Sequence, residues 1–82
     1  MTSKNHGWQK RWVLDRSAGL AIHESGLAFR DGGMIALDLT PPEKWQEFNR
    51  HHGGHNAPVK IERMGREVVE LFATARARDA RL

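Results

Sequence analysis

The sequence predicts an α+β fold, in which a four-strand antiparallel meander at about residues 10–39 precedes two helices at about 41–52 and 57–76. Three observations predict it. Short apolar runs of period two fill the first half of the chain, turn residues separate them, and the spacing becomes helical after Thr40. The chain has 82 residues, of which 39% are hydrophobic and 28% charged, as expected for one folded domain.

Four stretches in the first half alternate between apolar and small or polar residues. They begin at Trp12, Leu20, Leu27 and Ile35, and the connections between them are too short for crossover helices. Neighbouring strands should therefore pair antiparallel. One sheet face is expected to carry the large apolar side chains: Trp12, Leu14, Leu20, Ile22, Leu27, Phe29, Ile35, Leu37 and Leu39. The opposite face is expected to carry Val13, Ala21, His23, Ala28, Arg30, Ala36 and Asp38.

Helix signals follow the last of these stretches. We expect Thr40 to cap the first helix, with Pro41 where no backbone N–H is needed, and Gly53-Gly54 to end it. Asn56 should cap the second helix, in which Gly65 costs about 1 kcal/mol relative to alanine. The helical side chains expected to meet the sheet are Trp45, Phe48, Met64, Val68, Leu71 and Phe72.

The remaining segments define the domain limits. We predict a flexible N-terminus at 1–9, a single domain at 10–76 and a frayed basic tail at 77–82. No run of about 18 apolar residues exists, so we expect no membrane span. The start of the chain does not resemble a signal peptide, and the absence of cysteine rules out disulfides and thiol chemistry. These features predict a cytoplasmic protein.

The densest group of reactive side chains is rich in histidine. Glu47, His51 and His55 are spaced four apart, as a zinc site on one helix face would require, but Gly53-Gly54 interrupts the helix before His55. We therefore predict no metal site and favour imidazoles at the negative end of a helix dipole, although metal binding by His51, His52 and His55 stays open. No serine or threonine lies in a nucleophile motif, so we also predict no catalytic residues, no cofactor and no enzymatic activity.

The basic residues lie mainly at the two ends of the chain. Thirteen Lys and Arg against ten Asp and Glu give a net charge of +3, and the middle of the chain is mildly acidic. Basic residues interleaved with aromatic ones are typical of contact with nucleic-acid backbones and bases. We therefore predict a small non-enzymatic binding module, associated with DNA or RNA as an accessory protein. The candidate contact residues are Trp8, Lys10, Arg11, Arg63, Arg66, Arg76 and Arg78.

Two other interpretations remain open. The chain could be a protein-binding inhibitor or accessory subunit that docks on a larger protein through its sheet face or its helices. The small side chains of Ala21, Ala28 and Ala36 would let a partner surface approach that sheet face closely. The chain could also form a homodimer through the apolar stripe at 61–75, since a small domain gains stability by pairing.

Residues 34–75 loosely resemble a ribbon-helix-helix DNA-binding unit. The shared features are an apolar stretch, a Pro-Pro-Glu helix start at 41–43 and a Gly-His-Asn turn before a second helix. The resemblance implies that two chains would pair their strands in the major groove, with Ala36, Asp38 and Thr40 facing the bases. Alanine and aspartate depart from the residues that the family uses for base contact, so we do not assign the chain to this family.

Overall fold

The computed structural model describes residues 7–54 and 56–80. It has a three-stranded antiparallel sheet followed by two α-helices, which confirms the predicted α+β class. One 3₁₀ turn at Trp8–Arg11 precedes the sheet, and another at Leu37–Leu39 precedes the helices. The strands are β1 (Trp12–Asp15), β2 (Leu20–His23) and β3 (Ala28–Arg30), and the helices are α1 (Pro42–His51) and α2 (Asn56–Ala80).

The orientation of β2 differs from the prediction. Trp12 pairs with His23, and Leu14 pairs with Ala21. Side chains of directly opposite residues lie on the same face of an antiparallel pair, so Ala21 and His23 face the core together with Trp12. The burial agrees, because Ala21 is 0% exposed and Trp12 is 7% exposed. The predicted placement of Ala21 and His23 on the outer face is therefore wrong.

Ring packing explains why the smaller residues of β2 face inward. Ala21 pairs with Leu14 on one side and Phe29 on the other, so it lies in the middle of the inner face. The rings of Trp12 and Phe29 meet edge-on with centroids 5.5 Å apart, and the small alanine leaves room for them. Leu20 and Ile22 are consequently half-buried on the outer face.

The predicted fourth strand does not form. Ile35 makes one isolated bridge to Phe29, and the chain then enters the 3₁₀ turn at Leu37–Leu39. The two leucines of this turn are 49% and 47% exposed and do not join the core. The prediction of a four-strand meander is thus wrong in its last element. The extended ribbon that the ribbon-helix-helix resemblance requires is absent from this described part of the chain.

Thr40 holds the segment that follows β3 to the edge of that strand through hydrogen bonds of its side chain. Its hydroxyl accepts the backbone N–H of Ala28 at 3.0 Å and donates to the carbonyl oxygen of Ala36 at 2.9 Å. The N–H of Ala36 in turn donates to the carbonyl of Ala28 at 2.8 Å. The buried hydroxyl is therefore committed to the edge of β3. The predicted capping role of Thr40 is wrong, because Pro41 occupies the cap position of α1 without a side-chain hydrogen bond.

Both predicted helices form, and α2 continues to Ala80, four residues beyond its predicted end. Of the tail predicted at 77–82, residues 77–80 are thus helical, and 81–82 lie outside the described residues. The apolar stripe at 61–75 faces the sheet, so a homodimer would need another surface or a rearranged core. The buried core cluster comprises Trp12, Ala21, Leu27, Phe29, Phe48, Ala57, Met64, Val68, Leu71 and Phe72.

The N-terminal segment is predicted to be flexible over residues 1–9. Residues 1–6 of it lie outside the described residues, whereas Trp8 packs against the core. Across residues 7–54 and 56–80, neither helix has a stretch apolar enough and long enough to cross a membrane.

Candidate nucleic-acid interface

A cavity of about 310 Å³ lies where the N-terminal 3₁₀ turn meets β2 and the first half of α2. Trp12 begins β1 inside the core, so the turn before it holds Trp8 against the same core. Arg11 ends that turn, and α2 supplies further cations across the cavity. We call this cavity the basic pocket; its lining residues are Trp8, Arg11, His23, Lys60, Arg63, Met64 and Glu67.

One carboxylate and one imidazole in the basic pocket are held by neighbouring groups. The indole Nε1 of Trp12 donates to Oε1 of Glu67 at 3.2 Å, which ties β1 to α2. The Trp12 ring also meets the His23 ring edge-on, with centroids 4.7 Å apart. The backbone N–H of Ser25 donates to Nδ1 of His23 at 3.2 Å, and the Ser25 hydroxyl lies 2.9 Å from the same nitrogen. We assign the proton of the neutral imidazole to Nε2, because a backbone N–H can only donate and Nδ1 must then accept. His23 is therefore a hydrogen-bond donor through Nε2.

The charge state of His23 follows from its surroundings. Burial lowers the pKa of His23 below its usual value of 6.5. The carboxylates of Glu24 and Glu67 act to raise this pKa, whereas the cations Arg11 and Lys60 act to lower it further. Burial has the largest effect, so the imidazole is neutral at pH 7.

A second depression continues the positive surface along α2. We call it the basic groove; it has a volume of about 470 Å³ and shares Lys60 and Arg63 with the basic pocket. No acidic residue is among those that line it. Lys60, Arg63 and Arg66 are spaced three apart, which places them along one side of the helix. The lining residues are His52, Asn56, Val59, Lys60, Arg63 and Arg66.

Two of these cations have no ion-pair partner among the described residues. Arg66 lies 3.5 Å from Glu62, and Arg11 lies 3.6 Å from Glu24, but Lys60 and Arg63 form no such pair. They are the fifth and eighth residues of α2, whose first turn contains no acidic residue. Within the described part of the chain, the arrangement leaves two cations without an ion pair on one side of the helix, where they attract anions.

The structure brings together only some of the predicted contact residues. Trp8, Arg11 and Arg63 line the basic pocket, and Arg66 lines the adjoining basic groove. Lys10 is exposed in the 3₁₀ turn, but it lines neither depression.

The last two predicted contact residues lie elsewhere on α2. Arg76 donates to Asp31 at 3.1 Å, and Arg78 borders a different cavity beside Thr74. Arg76 is thirteen residues beyond Arg63, which is about 20 Å along a helix. These two arginines are therefore separated from the basic pocket.

Sequence reasoning missed three polar residues of the basic pocket. Lys60 continues the three-residue spacing of Arg63 and Arg66, so that spacing was a signal for it. The sequence pattern predicts the wrong sheet face for His23, because the more apolar residues of its strand, Leu20 and Ile22, lie on the outer face. Glu67 is indistinguishable in the sequence from the other acids of α2, and only its bond to Trp12 sets it apart.

The histidine-rich stretch borders a separate cavity of about 270 Å³, which Glu24, Glu47, His51 and His52 help to line. The ring of His52 packs on Phe48, with centroids 4.6 Å apart. Within the described ranges, no three His, Asp or Glu side chains are close enough to hold a metal ion. His55 lies outside the described residues, so the zinc arrangement with Glu47 and His51 stays open.

Comparisons of the chain with protein-family models, with curated proteins and with solved structures find no match.

Proposed function

We propose that this protein is a small nucleic-acid-associated accessory protein that acts by binding rather than by catalysis. The observation that carries the proposal is the convergence of Arg11, Lys60 and Arg63 around a cavity that Trp8 also lines. Three cations from two separate segments provide charge for backbone phosphates, and the indole provides a surface for bases. Arg66 extends the same positive surface along α2.

The ion pairs of the structure support the same function. Lys60 and Arg63 form no ion pair among the described residues, so no carboxylate is paired with either charge in the fold. A bound polyanion would neutralise both charges.

The proposal is tested by fluorescence anisotropy with labelled DNA and RNA at several salt concentrations. If four cations contact phosphates of a single strand, the slope of log Kobs against log salt should be about −3. The double variant Lys60→Gln/Arg63→Gln should bind at least tenfold more weakly at about 0.1 M salt, with a slope nearer −1.5, estimated on the same basis. Absence of binding by the unmodified protein at tens of micromolar would overturn the proposal.

A charge-matched variant checks whether the position of the cations matters. Arg76→Gln/Arg78→Gln removes the same net charge from the same helix, but at a distance from the basic pocket. At about 0.1 M salt, where the Debye length is about 10 Å, its affinity should stay within about threefold of the original, because most of the lost charge lies beyond that length. Equal losses in the two double variants would contradict a localised interface.

A second candidate function is docking on a larger protein through the outer sheet face. Val13 is 69% exposed on this face, and the half-buried Leu20 and Ile22 are its apolar neighbours. The alanines predicted to form a flat docking surface are instead buried, at 0% for Ala21 and 1% for Ala28. A pull-down from lysate with nuclease should retain a partner in this case, and Val13→Lys should release it. Loss of all partners after nuclease would favour the first proposal.

A further inference from the structure

We infer that the basic pocket accepts one unpaired nucleobase, which stacks on Trp8 while its flanking phosphates contact Arg11, Lys60 and Arg63. This inference rests on the proposed nucleic-acid function and names its substrate class, which is single-stranded rather than duplex nucleic acid. The aromatic ring and the cavity of the basic pocket, and not its charge alone, favour single-stranded over duplex nucleic acid.

Trp8 is the first basis of the inference. Its ring packs against the core and also borders the cavity, so it is held in place before any ligand binds. A fixed aromatic ring loses little conformational freedom when a base stacks on it. Every base has a π face, so such stacking favours exposed bases without requiring a particular sequence.

The size of the cavity is the second basis. A volume of about 310 Å³ is at the lower end for small-molecule sites and is sufficient for one planar heterocycle. The bases of a duplex are stacked and paired within the helix, so one could enter only after unpairing, which costs free energy. Single-stranded nucleic acid does not bear this cost.

The distribution of charge is the third basis. Glu67 places a carboxylate in the lining, and this negative charge disfavours a phosphate deep inside the pocket. Its Oε1 already accepts the indole N–H of Trp12, which leaves Oε2 as an acceptor for a ligand. The neutral His23 offers a donor through Nε2. A base carries both donors and acceptors on its edges, whereas a phosphate carries only acceptors at neutral pH.

Binding of a labelled single strand of about twelve nucleotides should therefore be compared with binding of a duplex of equal length. Trp8→Leu should weaken single-strand binding about tenfold and change duplex binding less than twofold. Trp8→Phe should restore most of the single-strand affinity, because it keeps an aromatic ring. Trp45→Leu is the matched control, since Trp45 is also half-buried against the core but lines a different cavity; it should change neither affinity.

A spectroscopic measurement keeps the test independent of how well the variants fold. In the unmodified protein, the indole N–H resonance of Trp8, assigned through its loss in Trp8→Phe, should shift on adding the single strand and stay in place with the duplex. If neither probe binds, the proposed function itself fails. If both bind equally and the Trp8 resonance responds to neither, the protein contacts backbones only and the base-binding inference is overturned.

Discussion

Gly33 and Gly65 bring the turn after β3 into backbone contact with the middle of α2. A Cβ atom on Gly33 would lie 2.6 Å from the carbonyl oxygen of Gly65 and 3.1 Å from a methyl group of Val69. A Cβ atom on Gly65 would likewise overlap the carbonyl oxygen of Gly33. The helix can approach the sheet this closely only because both positions lack a side chain. Gly33 also has a φ of 93°, which other residues rarely adopt.

This contact reverses the usual effect of replacing a helical glycine. Gly65→Ala should raise helix propensity by about 1 kcal/mol, but the added methyl group collides with backbone rather than with a flexible side chain. Overpacking of this kind typically costs about 1–3 kcal/mol, so we expect net destabilisation. Urea unfolding followed by circular dichroism measures the change in the free energy of unfolding.

Ala73→Gly serves as the control for this prediction. Ala73 is exposed on the same helix, so the substitution should show only the propensity difference, a loss of about 1 kcal/mol. A Gly65→Ala variant that is more stable than the original protein would show that the turn at Gly33 can move aside at little cost.

The helices were the part of the fold that the sequence predicted best. Their signals are local: prolines at the start of α1, paired glycines between the helices and an apolar stripe of helical period in α2. The strands of the sheet depend on distant partners. Leu20 and Ile22 are the more apolar residues of β2, so pattern alone placed them inside, yet the rings of Trp12 and Phe29 require the small Ala21 there.

The candidate interface was predictable only in part, for a similar reason. Arg11 and Arg63 are 52 residues apart in the sequence, and only the path of α2 over the sheet places both beside Trp8. Arg76 lies thirteen residues beyond Arg63 on the long helix α2, although both belong to the same basic segment of the sequence. Charge composition can thus indicate an anionic partner, but only the tertiary arrangement selects the cations that act together.

The buried hydroxyl of Thr40 provides a second test of the fold. Thr40→Val keeps the shape of the side chain but removes the partner of the Ala28 N–H, whereas the Ala36 carbonyl still accepts the N–H of Leu39 at 3.1 Å. Unsatisfied buried groups cost about 1–3 kcal/mol, so the free energy of unfolding should fall by about that amount. Chemical denaturation measures it.

Thr40→Ser separates the hydrogen bonds from the packing. Serine retains the hydroxyl and loses only a methyl group, so it should be the milder substitution. If valine proves as stable as threonine at this position, the hydroxyl does not hold the segment to the edge of β3.

The ion pair between Arg16 and Asp79 joins the turn after β1 to the last turn of α2, with one N–O distance of 3.1 Å. The two side chains are 44% and 50% exposed, so solvent screens the attraction. Asp79→Asn should therefore reduce the free energy of unfolding by less than about 1 kcal/mol, and added salt should shrink the difference.

Glu70→Gln is the control for this ion pair. Glu70 is an exposed acid of the same helix, and it has no ion pair among the described residues. A loss above about 2 kcal/mol, twice the usual upper limit for such pairs, would mean that this contact holds the end of α2 in place.

His23 should make the stability of the protein depend on pH. Its pKa in the folded state is lowered by burial, so the unfolded chain, with a pKa near 6.5, takes up the proton more readily. The contribution of His23 to stability is complete above about pH 6.5 and is lost as the pH falls through the lower folded-state pKa.

The variant His23→Asn tests this dependence. It keeps an acceptor for the N–H of Ser25 but cannot titrate, and the other histidines are common to both proteins. The free energies of unfolding of the two proteins should therefore converge between about pH 7.5 and pH 5, a range above most carboxylate pKa values. Parallel pH profiles would show that the imidazole becomes protonated in the folded protein as easily as in the unfolded chain.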